Sequence, residues 1–105
     1  MEEKKYEISI QEVDNMFVAI VKNLRKQVVE RIFNLNETGA LMLKALLVDH
    51  DKSAIISLLM SEYTIHQQQA ESEVSDFINM LNENGLMEIV ENGLYYNHNL
   101  NHDGY

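Results

Sequence analysis

RIFNLNETGALML, residues 31–43, passes from the pattern of a strand to the pattern of a helix within a few residues. Its first five residues complete the run VVERIFNL, whose β-branched and apolar residues suit a pleated, half-buried surface. Asn36 can then act as a helix N-cap, because its side-chain oxygen can accept from the free amides of the first helical turn. The stretch therefore predicts a strand that ends at Leu35 and a helix that begins directly after Asn36.

Two further strands are predicted before this junction. YEISI at residues 6–10 and MFVAIV at residues 16–21 are rich in the β-branched and aromatic residues that strands favour. The second of these runs and VVERIFNL at residues 28–35 are separated by KNLRKQ, residues 22–27, and so predict a hairpin. The N-terminal part of the chain is therefore expected to form a three-stranded antiparallel sheet.

The first two predicted helices differ in how much of their surface is apolar. From Ala40 the run ALMLKALLV is apolar almost all round, which is typical of a helix buried on most sides. Asp51 is a suitable N-cap for a second helix, in which Ile55, Leu59 and Tyr63 recur every four residues on one face. The first helix is thus expected at the centre of a small domain, with one face of the second packed against the core.

A third predicted helix follows a short polar turn. Asn84 and Gly85 predict its end, because a residue with a left-handed backbone conformation commonly terminates a helix. Its apolar residues recur at the spacing i, i+4, i+7, i+8, i+11 and are Ala70, Val74, Phe77, Ile78 and Leu81.

The C-terminal region predicts a β-hairpin. LMEIV at residues 86–90 and LYYNH at residues 94–98 flank Glu91-Asn92-Gly93, and Asn-Gly between two apolar runs is a strong hairpin signal. Residues 97–105 are polar and are expected to form a flexible tail. The predicted order is therefore three strands, three helices and a hairpin, which is an α+β winged helix-turn-helix fold.

Length and composition exclude several classes of protein. At 105 residues the chain is expected to form a single domain of residues 1–105, with its core at about residues 6–96. It contains no cysteine, which excludes disulfides and thiolate metal sites. Its apolar runs are far shorter than the roughly 20 residues of a membrane span, and its start, MEEKKYE, lacks the apolar core of a signal peptide. A cytoplasmic protein without a membrane partner or a cofactor is therefore expected.

The charged residues are unevenly distributed along the chain. All eight Lys and Arg lie at or before Lys52, whereas residues 53–105 contain eight Asp and Glu and neither Lys nor Arg. A winged helix-turn-helix usually suggests DNA binding through the third helix, but affinity for DNA depends on cations that contact phosphates. The predicted third helix and hairpin have none. A nucleic-acid partner is therefore not expected, and winged-helix DNA binding is kept only as an alternative.

The histidines are weak candidates for a metal or catalytic site. His98 and His102 have the i, i+4 spacing of ligands on a helix, with Asp103 adjacent. Their surroundings are rich in Asn and follow a predicted strand, so the tail interpretation is preferred. His50 lies in a predicted turn, and the sequence contains no Gly-rich phosphate loop and no HExxH motif. We therefore expect no catalytic residue, no metal site and no enzymatic activity.

Three groups of residues, in order and at matching spacing, resemble the PqqD family. They are LNET at residues 35–38, I-x3-L-x3-Y at residues 55–63 and V-x2-FI-x2-L-x3-GL at residues 74–86. The resemblance to these small proteins of pyrroloquinoline quinone biosynthesis and their relatives extends over roughly residues 6–90. Two positions depart from the family pattern: Leu43 stands where Trp is often found, and Asp49-His50 replaces the Asp-Gly that usually precedes the second helix.

The resemblance implies a non-catalytic peptide chaperone. Such a domain binds the leader segment of a ribosomally made precursor peptide and presents it to a modifying enzyme, commonly a radical S-adenosylmethionine enzyme. In the family the leader adds as a further strand beside the third strand and lies against the third helix. Together with helical geometry, this correspondence predicts the peptide-binding residues Val28, Val29, Glu30, Arg31, Ile32, Phe33, Glu73, Phe77 and Met80.

The charges near this predicted site indicate what the peptide would carry. Cations lie in and beside the turn before the third strand: Lys22, Arg25, Lys26 and Arg31. Carboxylates lie on the third helix: Glu71, Glu73 and Asp76. An acidic leader could contact the cations, whereas the third helix would favour basic groups on the other side of the peptide.

Other interpretations of the strand edge remain open at the level of sequence. The edge could be an ordinary one without a ligand, with the cations as a solvated turn that limits aggregation. It could also serve a protein–protein interaction module, which binds another folded protein or pairs two copies of the chain as a homodimer.

Overall fold

In the computed structural model, which describes residues 4–48 and 51–96, three strands come first and three main helices follow. The elements are β1 (Tyr6–Val13), β2 (Met16–Asn23), β3 (Val28–Leu35), α1 (Glu37–Val48), α2 (Lys52–Tyr63), α3 (Gln67–Glu83), the short α4 (Met87–Glu91) and β4 (Gly93–Tyr95). This order confirms the predicted α+β, winged-helix-like fold.

The four strands form one sheet in the order β3-β2-β1-β4. β1 pairs with β2 and β2 pairs with β3, both antiparallel, whereas β4 pairs with β1 in parallel. Asp14 and Asn15 close the first hairpin with φ of 53° and 67°, a left-handed backbone that Asp and Asn tolerate better than other residues with a Cβ. β4 pairs with only the first three residues of β1, Tyr6, Glu7 and Ile8, whereas β3 is an edge strand along its whole length within the described part of the chain.

The helices cover one face of the sheet. From the strands, Ile8, Ala19, Val21 and Leu35 are buried in the core. α1 is buried on several sides, as its nearly continuous apolar sequence predicts, and contributes Ala40, Met42, Leu43, Leu46 and Leu47. α2 and α3 pack one face each, with Ile55 and Leu59 from the former and Ala70, Val74, Phe77 and Leu81 from the latter.

The predicted helix ends are confirmed. The Asn36 Oδ1 accepts from the Gly39 amide at 2.7 Å, and the Asp51 Oδ1 accepts from the Ser53 amide at 3.0 Å. At the end of α3 the backbone of Gly85 has a φ of 68°, which permits the chain to reverse.

The predicted C-terminal hairpin is wrong. Residues 87–91 form α4, and the chain then continues into β4, which pairs with β1. The reason is long-range pairing: the Asn92 carbonyl accepts from the amide of Lys5 at 2.9 Å, and the Tyr96 amide donates to the Ile8 carbonyl at 2.9 Å. Gly93 is buried, and a Cβ on it would lie 2.7 Å from the Ile89 carbonyl oxygen, so this glycine serves close packing and not a hairpin turn. The expected flexible tail of residues 97–105 lies outside the described residues.

Candidate functional site

β3 leaves one edge of the sheet open. Its inner side pairs with β2, and no strand among residues 4–48 and 51–96 pairs with its outer side. Val28, Val29 and Ile32 on this strand are 49%, 55% and 62% exposed. Unpaired backbone groups beside exposed apolar side chains are the features of an edge to which another strand can add.

A β-bulge divides this edge. Val21 pairs with Arg31 and Lys22 pairs with Val29, so Glu30 is the extra residue. Bulges interrupt regular pairing and twist the strand. The segment of β3 that offers a regular ladder therefore runs from Arg31 to Leu35.

A cleft of about 450 Å³ lies between the end of β3, the start of α1 and α3; it is called the α3 cleft below. Its apolar side chains are Leu35, Met42, Phe77 and Met80, and its polar ones are Asn34, Asn36, Thr38, Glu73 and Asp76. The fold thus brings the three helical residues predicted for the site, Glu73, Phe77 and Met80, together beside β3. Glu73 is exposed, Met80 is half-buried and Phe77 is buried.

A smaller pocket of about 300 Å³ continues the α3 cleft towards α2. The two share Thr38 and Glu73, and the smaller pocket adds Leu59, Tyr63 and Ile65. Apolar surface is therefore accessible on both sides of Glu73. A ligand that lies along α3 meets alternating apolar and acidic groups.

The strand residues predicted for the site lie along the edge and do not line the α3 cleft. Phe33 is half-buried and pairs with the buried Ala19, which places it on the core side of the sheet. Arg31 Nη2 donates to the Asn84 carbonyl oxygen at the end of α3, at 3.4 Å. Glu30 accepts from the side-chain amide of Asn23 at 2.8 Å. Arg31 and Glu30 thus already have partners within the chain.

Charge of opposite sign lies near the two ends of β3. Beyond its N-terminal end, a second cleft of about 520 Å³ is lined by the cations Lys4, Lys5, Arg25 and Lys26 together with Tyr6, Asn23 and Leu24; it is called the cationic cleft below. Beyond its C-terminal end lie Glu73 and Asp76 of the α3 cleft. Burial raises the pKa of Tyr6, and the Glu30 and Glu88 carboxylates raise it further.

Sequence reasoning missed two sets of site residues. Asn36, Thr38 and Met42 line the α3 cleft, but α1 was interpreted only as a buried helix and its cap. Lys4 and Lys5 lie beside the turn that precedes β3 because the antiparallel pairing of β1 with β2 places Tyr6 opposite Asn23. The register of the first hairpin was the signal that could have placed these two cations.

The described parts of the chain contain neither a candidate metal site nor a helix that could span a membrane. No group of three or more His, Cys, Asp or Glu within residues 4–48 and 51–96 could hold a metal ion. The candidate residues named from the sequence, His50, His98, His102 and Asp103, lie outside the described residues. No helix in the described ranges is long and apolar enough to cross a membrane.

Comparison with known proteins relates this geometry to characterised folds. The family model described as coenzyme PQQ synthesis protein D (PqqD) matches residues 23–87, which include β3, the turn before it and the α3 cleft. Among curated proteins, none matches the chain significantly.

Two solved structures share the fold. TbiB1 in complex with the TbiA(beta) leader peptide superposes with a TM-score of 0.56 at 19% identity, over 75% of this chain and 86% of that one. Lasso peptide synthetase B1 complexed with the leader peptide also has a TM-score of 0.56, at 29% identity, over 74% of this chain and 86% of that one. Both similarities extend over about three quarters of the chain.

Proposed function

Because this chain belongs to the PqqD family, described as coenzyme PQQ synthesis protein D, we propose that it is a non-catalytic peptide chaperone. It binds the leader segment of a ribosomally made precursor peptide and presents that segment to a modifying enzyme. One observation carries the proposal: an open strand edge, β3, lies beside a cleft with an apolar floor. Support also comes from two proteins of similar fold, each of which was solved with its leader peptide.

The leader is proposed to add to β3 as a fifth strand. Each new backbone hydrogen bond contributes about 0.5 to 1.5 kcal/mol, whereas ordering each peptide residue costs about 1 to 2 kcal/mol. These two contributions nearly cancel, so backbone pairing alone gives little affinity. The net affinity must come from leader side chains.

Side chains on one face of the added strand would reach the α3 cleft. Successive side chains of a strand point to opposite faces, so alternate leader residues face Met80 and Phe77 while the others face away from the helices. Burial of their apolar surface contributes roughly 25 cal/mol per Å². Glu73 and Asp76 on the rim favour a basic or hydrogen-bond-donating leader residue at the same place. A leader with apolar residues at alternate positions and a basic residue near the α3 cleft therefore suits this chain.

The partner enzyme is proposed to be a radical S-adenosylmethionine enzyme in the cytoplasm, which carries out the chemistry on the peptide. A nucleic-acid partner is not proposed, because α3 carries Glu71, Glu73, Asp76 and Glu83 and neither Lys nor Arg. Like charge would oppose the approach of this helix to a duplex.

Backbone amide shifts of the ¹⁵N-labelled chain test the proposed site. The probe is a peptide selected on this chain from a displayed library of random 20-residue sequences. Shifts are expected at residues 31–35 and 73–80, and small or no shifts in β1 and β4 on the opposite edge. Selection of no peptide, or shifts concentrated away from β3 and α3, would contradict the proposal.

Self-association through the same edge is the second candidate function. The exposed Val28, Val29 and Ile32 on an unpaired strand allow β3 of one copy to pair with β3 of another. Light scattering across a hundredfold range of protein concentration distinguishes the two. A mass that doubles with concentration supports the homodimer, and a constant monomer mass rejects it.

A further inference from the structure

The cationic cleft concentrates positive charge in an otherwise acidic chain. The formal net charge is -9, and only eight Lys and Arg are present. Four of them, Lys4, Lys5, Arg25 and Lys26, line this one cleft. An anionic ligand would therefore meet attraction here and repulsion over most of the remaining surface.

The backbone around the cationic cleft is held in place by hydrogen bonds. The Asn23 Oδ1 accepts from the amides of Arg25 and Lys26 at 3.0 and 2.9 Å. The Leu24 amide donates to the Lys5 carbonyl at 3.0 Å, which joins the start of β1 to the turn. The four cations thus extend from two connected segments and not from independent loops.

The charged heads in this cleft are largely available to a ligand. Lys4 Nζ donates to the Glu91 carbonyl oxygen at 3.4 Å, a long contact. Within the described ranges, Lys5, Arg25 and Lys26 have no ion-pair partner. Among the described carboxylates, Glu30 and Glu88 raise the pKa of Tyr6, which lines the same cleft.

The cationic cleft lies at the end of the sheet where β3 begins. Its lining residues 23–26 directly precede Gln27 and Val28, where β3 begins. Antiparallel pairing is the commoner arrangement of two strands. A peptide that pairs with β3 in this way starts near Leu35 and leaves near Val28, so its C-terminal continuation passes the cationic cleft.

We propose that the cationic cleft binds acidic side chains of the precursor peptide, at positions directly C-terminal to the segment that pairs with β3. This inference rests on the proposed function. The six residue steps from Asn34 to Val28 span about 20 Å, so the acidic residues lie about six or more positions after the leader residue at the α3 cleft. Glu73 and Asp76 at the other end repel the same acidic residues, and the two ends together select one direction of the peptide.

A displayed library of random 20-residue peptides tests the inference without a known precursor. Peptides selected on the wild-type chain are expected to carry an excess of Asp and Glu on the C-terminal side of their apolar residues. The strongest binder, labelled with a fluorophore, is the acidic probe. A second peptide, with those Asp and Glu replaced by Asn and Gln, is the neutral probe.

Two double variants of equal net charge complete the experiment. Arg25→Gln with Lys26→Gln removes two exposed cations of the cleft, whereas Lys44→Gln with Lys52→Gln removes two cations of α1 and α2 outside it. The first pair is expected to raise the Kd of the acidic probe roughly three- to tenfold at low salt. The Kd of the neutral probe should stay unchanged, and the second pair should change neither Kd.

The outcomes separate the two proposals. Failure to select any peptide overturns the proposed function itself. If selected peptides shift residues 31–35 but show no acidic excess, or if both double variants weaken the acidic probe equally, the cationic cleft has no specific role and the proposed function stands. Circular dichroism of both variants confirms that the fold is retained.

Discussion

At the scale of single residues, Asn36 connects the strand edge to the helix beside it. Its Oδ1 accepts from the Gly39 amide at 2.7 Å, and the residue also lines the α3 cleft. A Cβ on Gly39 would lie 3.0 Å from this oxygen, a separation tighter than an ordinary contact. Glycine at this position therefore allows the cap to close, and the cap sets where α1 begins relative to Leu35.

Replacement of Asn36 by Ala should lower the free energy of unfolding by about 0.5 to 2 kcal/mol, because the Gly39 amide loses its acceptor. Urea denaturation followed by circular dichroism measures this change. Asn36→Asp is the control, since it keeps an acceptor and should cost much less. Equal stability of the Ala variant and the wild type would show that the cap contributes nothing.

At the scale of elements, β3 and α3 form the proposed site because a hydrogen bond connects them at one place and the α3 cleft separates them at another. Arg31 Nη2 reaches the Asn84 carbonyl oxygen where α3 ends, while the α3 cleft opens between Leu35 and Met80. The Arg31 contact lies at the negative end of the helix dipole, which favours a cation. A charge reversal at Arg31 would thus affect stability as well as binding, and a different residue is needed to test the edge.

Ile32→Glu tests the edge without disturbing the core, because Ile32 is 62% exposed and pairs with Ile20 on the face away from the helices. Loss of its apolar contact with an added strand should raise the Kd of a selected peptide by roughly fivefold. Val13→Glu is the matched control: Val13 is also an exposed strand residue, but it lies at the end of β1, two strands away from the outer side of β3. Fluorescence anisotropy measures both. An equal loss in the two variants would indicate a general effect of charge.

At the scale of the whole molecule, the strand order assigns different roles to the two edges of the sheet. β4 covers β1 at Tyr6, Glu7 and Ile8, whereas β3 has no partner on its outer side within the described residues. Within the described part of the chain, β3 is therefore the edge that is open along its full length. The proposed peptide site and β4 therefore lie at opposite edges of the sheet.

Gly93→Ala should destabilise the fold but leave peptide affinity unchanged. An added Cβ would meet the Ile89 carbonyl oxygen at 2.7 Å and the Ile8 side chain at 2.5 Å, and overpacking of this kind costs about 1 to 3 kcal/mol. Thermal unfolding should show a lower Tm. The Kd of a selected peptide, measured well below that Tm, should match the wild type. A large loss of affinity would mean that the two edges are coupled.

Local patterns were sufficient for most of the elements. The strand-to-helix change at residues 31–43, the caps at Asn36 and Asp51, and the end of α3 at Gly85 each depend on residues within one or two turns. Such signals are present in the sequence because capping and left-handed backbone conformations are short-range effects. The helical side of the candidate site followed from the 3.6-residue period, which places Glu73, Phe77 and Met80 on neighbouring positions of one helix.

The sequence by itself determined the elements, their caps, the uneven charge and the family. The tertiary structure alone decided that Asn92 and Gly93 lead into a parallel strand on β1 and not into a hairpin turn, and that Lys4 and Lys5 join Arg25 and Lys26. It also placed Arg31 against Asn84, a residue 53 positions away. The physical reason is common to all three: pairing and packing between distant segments outweigh local turn preferences, and no short pattern in the sequence records which distant segments meet.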